Sequence, residues 1–131
     1  MNKVFYPALF HKAEEGGFWI SFPDLPECLT QGEDMAEAYE MAVEALGLAL
    51  SCREEEGQPI PSASDPIAII TEQDSFLAVI EFDMLAYKKR TSSRAVKKTL
   101  SIPEWLNEAA IAMDLNFSQI LQEALISKIK V

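Results

Sequence analysis

The stretch that most limits what this chain can fold into is its last thirty-six residues, 96–131. Val96-Lys97-Lys98-Thr99-Leu100-Ser101-Ile102 reads as a short alternating strand that stops at Pro103, and two compact helical patterns follow. Leu100 and Ile102 share one face of that strand, while Lys97, Thr99 and Ser101 share the other. A lone strand leaves its edges unpaired, and two short helices cannot bury their apolar faces by themselves. The segment therefore calls for a second copy of itself. A two-stranded ribbon bearing lysine, threonine and serine outward is suited to the DNA major groove.

Charge divides the chain about ten residues earlier. Residues 1–85 hold seventeen acidic side chains against Lys3, Lys12 and Arg53, whereas residues 86–131 hold eight basic against four acidic. The first part is thus near −14 and the second near +4, within a whole of −10. Residues 88–98 contain Lys88, Lys89, Arg90, Arg94, Lys97 and Lys98 and no acidic residue. Such a partition implies two parts with different electrostatic tasks. With 131 residues, 49% of them hydrophobic, both parts have material for a core.

No apolar run reaches the roughly 18 residues of a membrane span, so no membrane partner is expected. Residues 1–7 are too short and too soon broken by Pro7 to read as a secretory leader, which places the expected location in the cytoplasm. Cys28 and Cys52 lack CxxC spacing and histidine companions, so reduced, semi-buried thiols are expected rather than a metal site or a disulfide. No cofactor is implied.

Residues 4–10 and 18–22 are aromatic and branched and flank Ala13-Glu14-Glu15-Gly16-Gly17, the pattern of a hairpin with glycines in its turn. Pro23 and Pro26 predict a corner, with a short third strand around residues 29–31. Asp34-Met35-Ala36-Glu37 has capping-box form and opens a helix whose apolar stripe runs Met35, Tyr39, Ala42, Leu46, Ala49 and Leu50. Gly57 is its stop signal. Residues 76–82 read as a returning strand, and residues 67–70 as strand or extended approach. The resulting class is α+β, with the helix on one sheet face. The domain boundaries expected are 1–84, a basic linker at 85–95 with a helical turn through Leu85-Ala86-Tyr87 as an option, and 96–131. In the last part Trp105/Leu106, Ala109/Ala110 and Met113 stripe the first helix. Asn116-Phe117-Ser118-Gln119 opens the second, whose stripe continues through Ile120/Leu121, Ala124/Leu125 and Ile129.

Residues 96–131 resemble a ribbon-helix-helix domain, with Asp114 at a turn where glycine is common. Residues 3–66 resemble the HicB antitoxin family, through Tyr6-Pro7-Ala8, the run Gly17-Phe18-Trp19-Ile20-Ser21-Phe22-Pro23-Asp24-Leu25-Pro26-Glu27-Cys28, Thr30-Gln31-Gly32 and Glu56-Gly57-Gln58-Pro59-Ile60-Pro61. Glu27 stands where that family often has glycine. The resemblance implies a truncated RNase-H-like domain that binds and inhibits a HicA-type, mRNA-cleaving toxin. It further implies a ribbon-helix-helix tail that represses the operon encoding both proteins.

On this reading Lys97, Thr99 and Ser101 meet base edges, while Arg90, Arg94, Lys98, Asn116 and Ser118 meet phosphates. The chain is a homodimer through the C-terminal strand, with a tetramer through the N-terminal sheet as a further option. Glu37, Glu40 and Glu44 complement a basic toxin. No catalytic or metal-binding residue is assigned. His11 lacks triad partners, and Asp24, Asp65, Asp74 and Asp83 fall mostly in corners and loops, which disfavours a metal-dependent nuclease. That nuclease and a stand-alone regulator without a toxin are the alternatives.

Overall fold

The computed structural model describes residues 3–92 and 94–129, and the chain divides into two compact units, one up to residue 93 and one from Arg94 onward. The first is α+β. Its strands β1 (Lys3–Lys12), β2 (Phe18–Phe22), β3 (Leu25–Gly32) and β4 (Ser75–Asp83) form one antiparallel sheet in the order β3-β2-β1-β4. The β1–β2 hairpin turns at Gly16 and Gly17, with φ of 96° and 77°, a region that glycine enters at no steric cost.

Helix α1 (Met35–Glu55) covers one sheet face. Alternate residues of β1 (Tyr6, Ala8, Phe10), β2 (Ile20, Phe22) and β4 (Ile80, Phe82) point at it and are buried. Phe10, Phe18 and Phe76 close one end of this core, with Phe10 stacked on Phe76 at 5.1 Å between ring centres and Phe18 edge-on to both. The helix starts as its capping box predicts: the Glu37 amide donates to Asp34 Oδ1 at 2.8 Å. Glu37 in turn accepts from the Glu33 amide at 3.0 Å. It ends at Gly57 (φ 70°), where the Gln58 and Gly57 amides donate back to Arg53 and Glu54 carbonyls. This is the paired hydrogen bonding of a left-handed C-terminal cap.

The buried stripe of α1 is Ala38, Ala42, Leu46, Gly47, Ala49 and Leu50. Met35 and Tyr39, expected in the core, are exposed instead. The reason is the closeness of approach. A Cβ on Gly32 of β3 would stand 2.4 Å from the Ala38 amide nitrogen, so only small residues fit where strand and helix meet.

Three further expectations are corrected. Pro23 and Asp24 alone make the turn after β2, and β3 resumes pairing at Leu25 opposite Phe22. Pro26 is tolerated because β3 is an edge strand, and an irregularity between Ser21 and Phe22 absorbs the extra residues. Residues 67–70 are not a strand: Pro66–Ala68 is a single 3-10 turn, started by Asp65 accepting from the Ile67 amide at 3.0 Å. Most of the expected linker is helix α2 (Met84–Thr91), capped by Asp83, which accepts from the Ala86 amide at 3.1 Å. Tyr87 anchors it against Phe82, with ring centres 5.5 Å apart.

Cys28 is buried and Cys52 is exposed rather than semi-buried; both are free thiols. Burial pushes the Cys28 thiol up to about 12, which leaves it unreactive at neutral pH.

The second unit contains α3 (Glu104–Ala112) and α4 (Phe117–Ile129). Pro103 immediately precedes α3 rather than sitting inside its first turn. Asp114, with φ of 55°, makes the left-handed step between the helices. The Asn116 side chain caps α4 by accepting from the Gln119 amide at 3.0 Å. The Gln119 side chain does not reach back as a capping box would; it donates to Glu123 at 3.2 Å. Residues 96–102 form neither helix nor strand, because a strand exists only as half of a ladder and these residues pair with none of the described residues.

Gly32→Ala forces backbone apart where β3 meets α1 and is expected to cost about 2 kcal/mol. The measurement is a urea titration followed by Trp19 fluorescence in a Trp105→Phe background. An unchanged midpoint would contradict the close approach.

Candidate functional site

Three surfaces carry the residues of interest, and each is set by an element already described. The first is the outward side of α1. Glu40 and Glu44 are exposed there, in line with Met41 and Leu48, which are exposed as well. The helix thus presents a mixed acidic and apolar strip. The candidates on it are differently occupied: Glu37 is engaged by the N-terminal cap, and Glu44 pairs with Arg90 of α2. Glu54 likewise pairs with Lys88. Sequence reading assigned Arg90 to DNA and Glu44 to a protein partner, yet the fold sets them side by side. Their separation of 46 residues left no local signal of this contact.

The second surface is the sheet face opposite α1. Phe5, Trp19, Leu29 and Val79 are exposed on it, at 53%, 44%, 61% and 43%. Pro7 is buried there, and Leu9 and Leu77 are half-buried. His11 ties this face together. Its Nδ1 lies 2.8 Å from Ser75 Oγ of β4 and its Nε2 2.9 Å from Ser21 Oγ of β2. Its ring stacks on the Trp19 indole at 3.7 Å. Burial lowers its pKa below the usual 6.5, opposed by the nearby Glu72 carboxylate. His11 is a strand-end residue, as expected, and an organiser of three strands. Sequence reading did not pick out these face residues, but the signal was present: residues 4–10 are apolar at every position, the mark of a strand with partners on both faces rather than one.

The third surface is the C-terminal unit. None of its described residues is buried. Trp105 and Met113 are 69% and 71% exposed, and Leu100, Ile102, Phe117, Ile120, Leu125 and Ile129 are exposed too. Arg94, Lys97, Lys98, Thr99, Ser101, Asn116 and Ser118 are all exposed.

The aspartates considered for metal chemistry have other occupations. Asp24 accepts from the Ser64 amide at 3.0 Å and from its hydroxyl, and Asp65 and Asp83 cap helical turns. Asp74 occupies a left-handed turn position. No cluster of three or more metal-ligating side chains occurs among the described residues. Among them, too, no helix is long and apolar enough to cross a membrane. Glu27, in the position noted above for glycine, accepts twice from the Arg53 guanidinium, at 2.6 and 2.9 Å, which holds its carboxyl down at about 2.

The fold is thus a small α+β unit followed by a helical unit whose described apolar side chains stay exposed. The sequence matches the HicB-like antitoxins of bacterial toxin–antitoxin systems over residues 6–125, and the chain belongs to that family. It is 42% identical over 74 residues to antitoxin HicB of Escherichia coli K12, covering 56% of this chain and 51% of that protein. Aligned stretches span between 36% and 51% of the curated HicB antitoxins to which it is similar. Among solved structures it is similar to a chain of a toxin–antitoxin complex from Streptococcus pneumoniae, with 31% identity, a TM-score of 0.57, and 96% of this chain and 99% of that one covered. It is also similar to a chain of the HicA3 and HicB3 toxin–antitoxin complex, with 30% identity, a TM-score of 0.53, and 61% and 99% covered.

The lowered His11 pKa has a definite sign. The folded unit favours neutral imidazole, so the stability it contributes is present above 6.5 and fades as pH falls through the lower folded value. The melting temperature of wild type should therefore drop more between pH 7 and pH 5 than that of His11→Gln. Equal drops in paired thermal melts would show that His11 does not carry the effect.

Proposed function

We propose that this chain is the antitoxin of a HicA/HicB-type system, that its N-terminal unit is a truncated RNase-H-like domain that binds and neutralises an mRNA-cleaving HicA-type toxin, and that its C-terminal unit is a ribbon-helix-helix repressor of its own operon. The observation that carries this reading is the family match over both units, residues 6–125, taken with a C-terminal unit that buries nothing alone. Two solved relatives being toxin–antitoxin complexes supports the toxin partner. In this reading the protein is not an enzyme and acts in the cytoplasm.

The mechanism follows from the surfaces. Two copies zip residues 96–102 into an antiparallel ribbon, which gives Leu100 and Ile102 a shared floor with the stripes of α3 and α4. The opposite ribbon face then carries Lys97, Thr99 and Ser101 from each chain toward base edges. Arg94 and Lys98, the Ser118 hydroxyl and the α4 N-terminus capped by Asn116 meet phosphates. Toxin docking uses the acidic and apolar strip of α1, including Glu40, together with the N-terminal sheet, and it blocks the RNA-cleaving site by occlusion. Net negative charge over the first unit favours a basic partner and repels DNA from that half. The open sheet face around Trp19 and Phe5 is the surface for a dimer-of-dimers contact.

Co-expression with the toxin encoded beside it should abolish RNA cleavage, whereas unaltered cleavage beside folded antitoxin would remove the claim. For DNA, Thr99→Ala is expected to lose roughly 1–3 kcal/mol of discrimination for the operator. Arg94→Gln should weaken all duplexes alike and flatten the dependence on salt in gel-shift titrations. Leu100→Lys should leave the first unit folded, yield monomers by light scattering and abolish DNA binding; a variant still dimeric would contradict the ribbon.

A further inference from the structure

One stripe of α1 meets α2. Glu44, Gly47, Ser51 and Glu54 recur at spacings of three and four, so they lie along one side of the helix. Glu44 pairs with Arg90, and Glu54 pairs with Lys88. A Cβ on Gly47 would strike the Tyr87 ring at 2.5 Å, so glycine provides the notch in which that ring sits. The Ser51 hydroxyl lies 3.9 Å from the Met84 sulfur. Arg90 also stacks over Tyr87, its guanidinium carbon 5.6 Å from the ring centre. The apolar contacts fix where α2 lies, and two carboxylates then neutralise two of its cations.

Those cations belong to the basic run that continues into the DNA-binding segment. Arg90 is four residues from Arg94, so chain length alone keeps their Cα atoms within about 14 Å. All four charged partners are about half exposed, so each pair is weak and open to competition. A basic protein on the α1 strip offers Glu44 and Glu54 other cations. We propose that the Glu44–Arg90 and Glu54–Lys88 pairs are a latch that withholds two phosphate-binding cations per chain from DNA, and that a basic partner on α1 opens it. The proposal rests on the DNA-binding reading above and adds to it how the two binding events are coupled. Coupling of this kind is reciprocal: DNA that captures Lys88 and Arg90 leaves α1 more negative and tightens the basic partner.

The test uses the full chain and the duplex immediately upstream of its own reading frame, titrated from 50 to 200 mM salt. Glu44→Gln/Glu54→Gln should bind about four- to thirtyfold more tightly at the lowest salt, the range expected from four exposed pairs per dimer. Four cations freed per dimer should also steepen the salt dependence by about three to four in the log–log slope. Glu14→Gln/Glu15→Gln removes the same charge from a turn remote from this stripe and should give a smaller gain with the slope unchanged. In a Lys88→Gln/Arg90→Gln background the gain from Glu44→Gln/Glu54→Gln should vanish. Circular dichroism checks that each variant is folded. A gain that persists without Lys88 and Arg90, or an unaltered slope, overturns the latch while leaving DNA binding intact. No binding by wild type or any variant overturns the DNA reading and the latch with it.

Discussion

The fit of α1 onto the sheet is the contact on which the rest of the N-terminal unit depends. At its start it is a contact of small residues, Gly32 under Ala38, and further along Ala42 and Ala49 share the buried stripe with Leu46 and Leu50. From the sheet, Phe10, Ile20, Phe22, Ile80 and Phe82 fill the space beneath the helix. Because the helix sits low, its C-terminal half can carry a second layer on its flank. Gly47 faces Tyr87 and Phe82 there, and α2 settles against it. Tyr6 and Arg53, which donate to the carbonyls of Pro61 and Pro59, then tie down the loop after α1, and Asp24 holds Ser64. One close approach thereby fixes the helix, the strap beside it and the loop behind it.

The two units satisfy their apolar surface in different ways. The first has a core of fully buried phenylalanines, each worth roughly 1.5–3 kcal/mol, and keeps apolar side chains to spare on the open sheet face and on α1. The second has no buried residue among those described, although both its helices are striped and α4 is capped by Asn116. Local signals suffice to wind α3 and α4, while Trp105, Leu106 and Phe117 stay exposed. The proposed self-association of the C-terminal half accounts for this contrast.

What the sequence disclosed was local. The capping box at Asp34, the stop at Gly57, the glycine turn and the left-handed Asp114 are each decided within a few residues, and each is found where its pattern places it. What it concealed was decided by distance between elements. Met35 and Tyr39 look like core by size and period, but the helix approaches too closely for them at its start. Residues 84–91 look like linker because they are basic, while their helix depends on a cap from Asp83 and a notch at Gly47, 40 residues earlier in the chain. The face expected of Lys97, Thr99 and Ser101 needs a ladder, and residues 96–102 are not in a strand. The pairing of Arg90 with Glu44 was not legible, since charge runs announce a surface without naming what neutralises it.

That pairing changes how the charge partition is to be understood. A chain near −10 overall approaches a polyanion only if its negative half is kept away or is itself neutralised. The fold spends two carboxylates of α1 on two cations of α2, so the boundary between acidic and basic halves is an electrostatic contact within the first unit rather than a gap. In the proposed latch, a basic partner on α1 would remove negative charge from the first unit and compete for the carboxylates that hold Lys88 and Arg90. Both effects would have the same sign. Occupancy of the acidic strip would then be coupled to affinity for phosphate without any movement of the core, because exposed ion pairs exchange partners while Tyr87 keeps α2 in place.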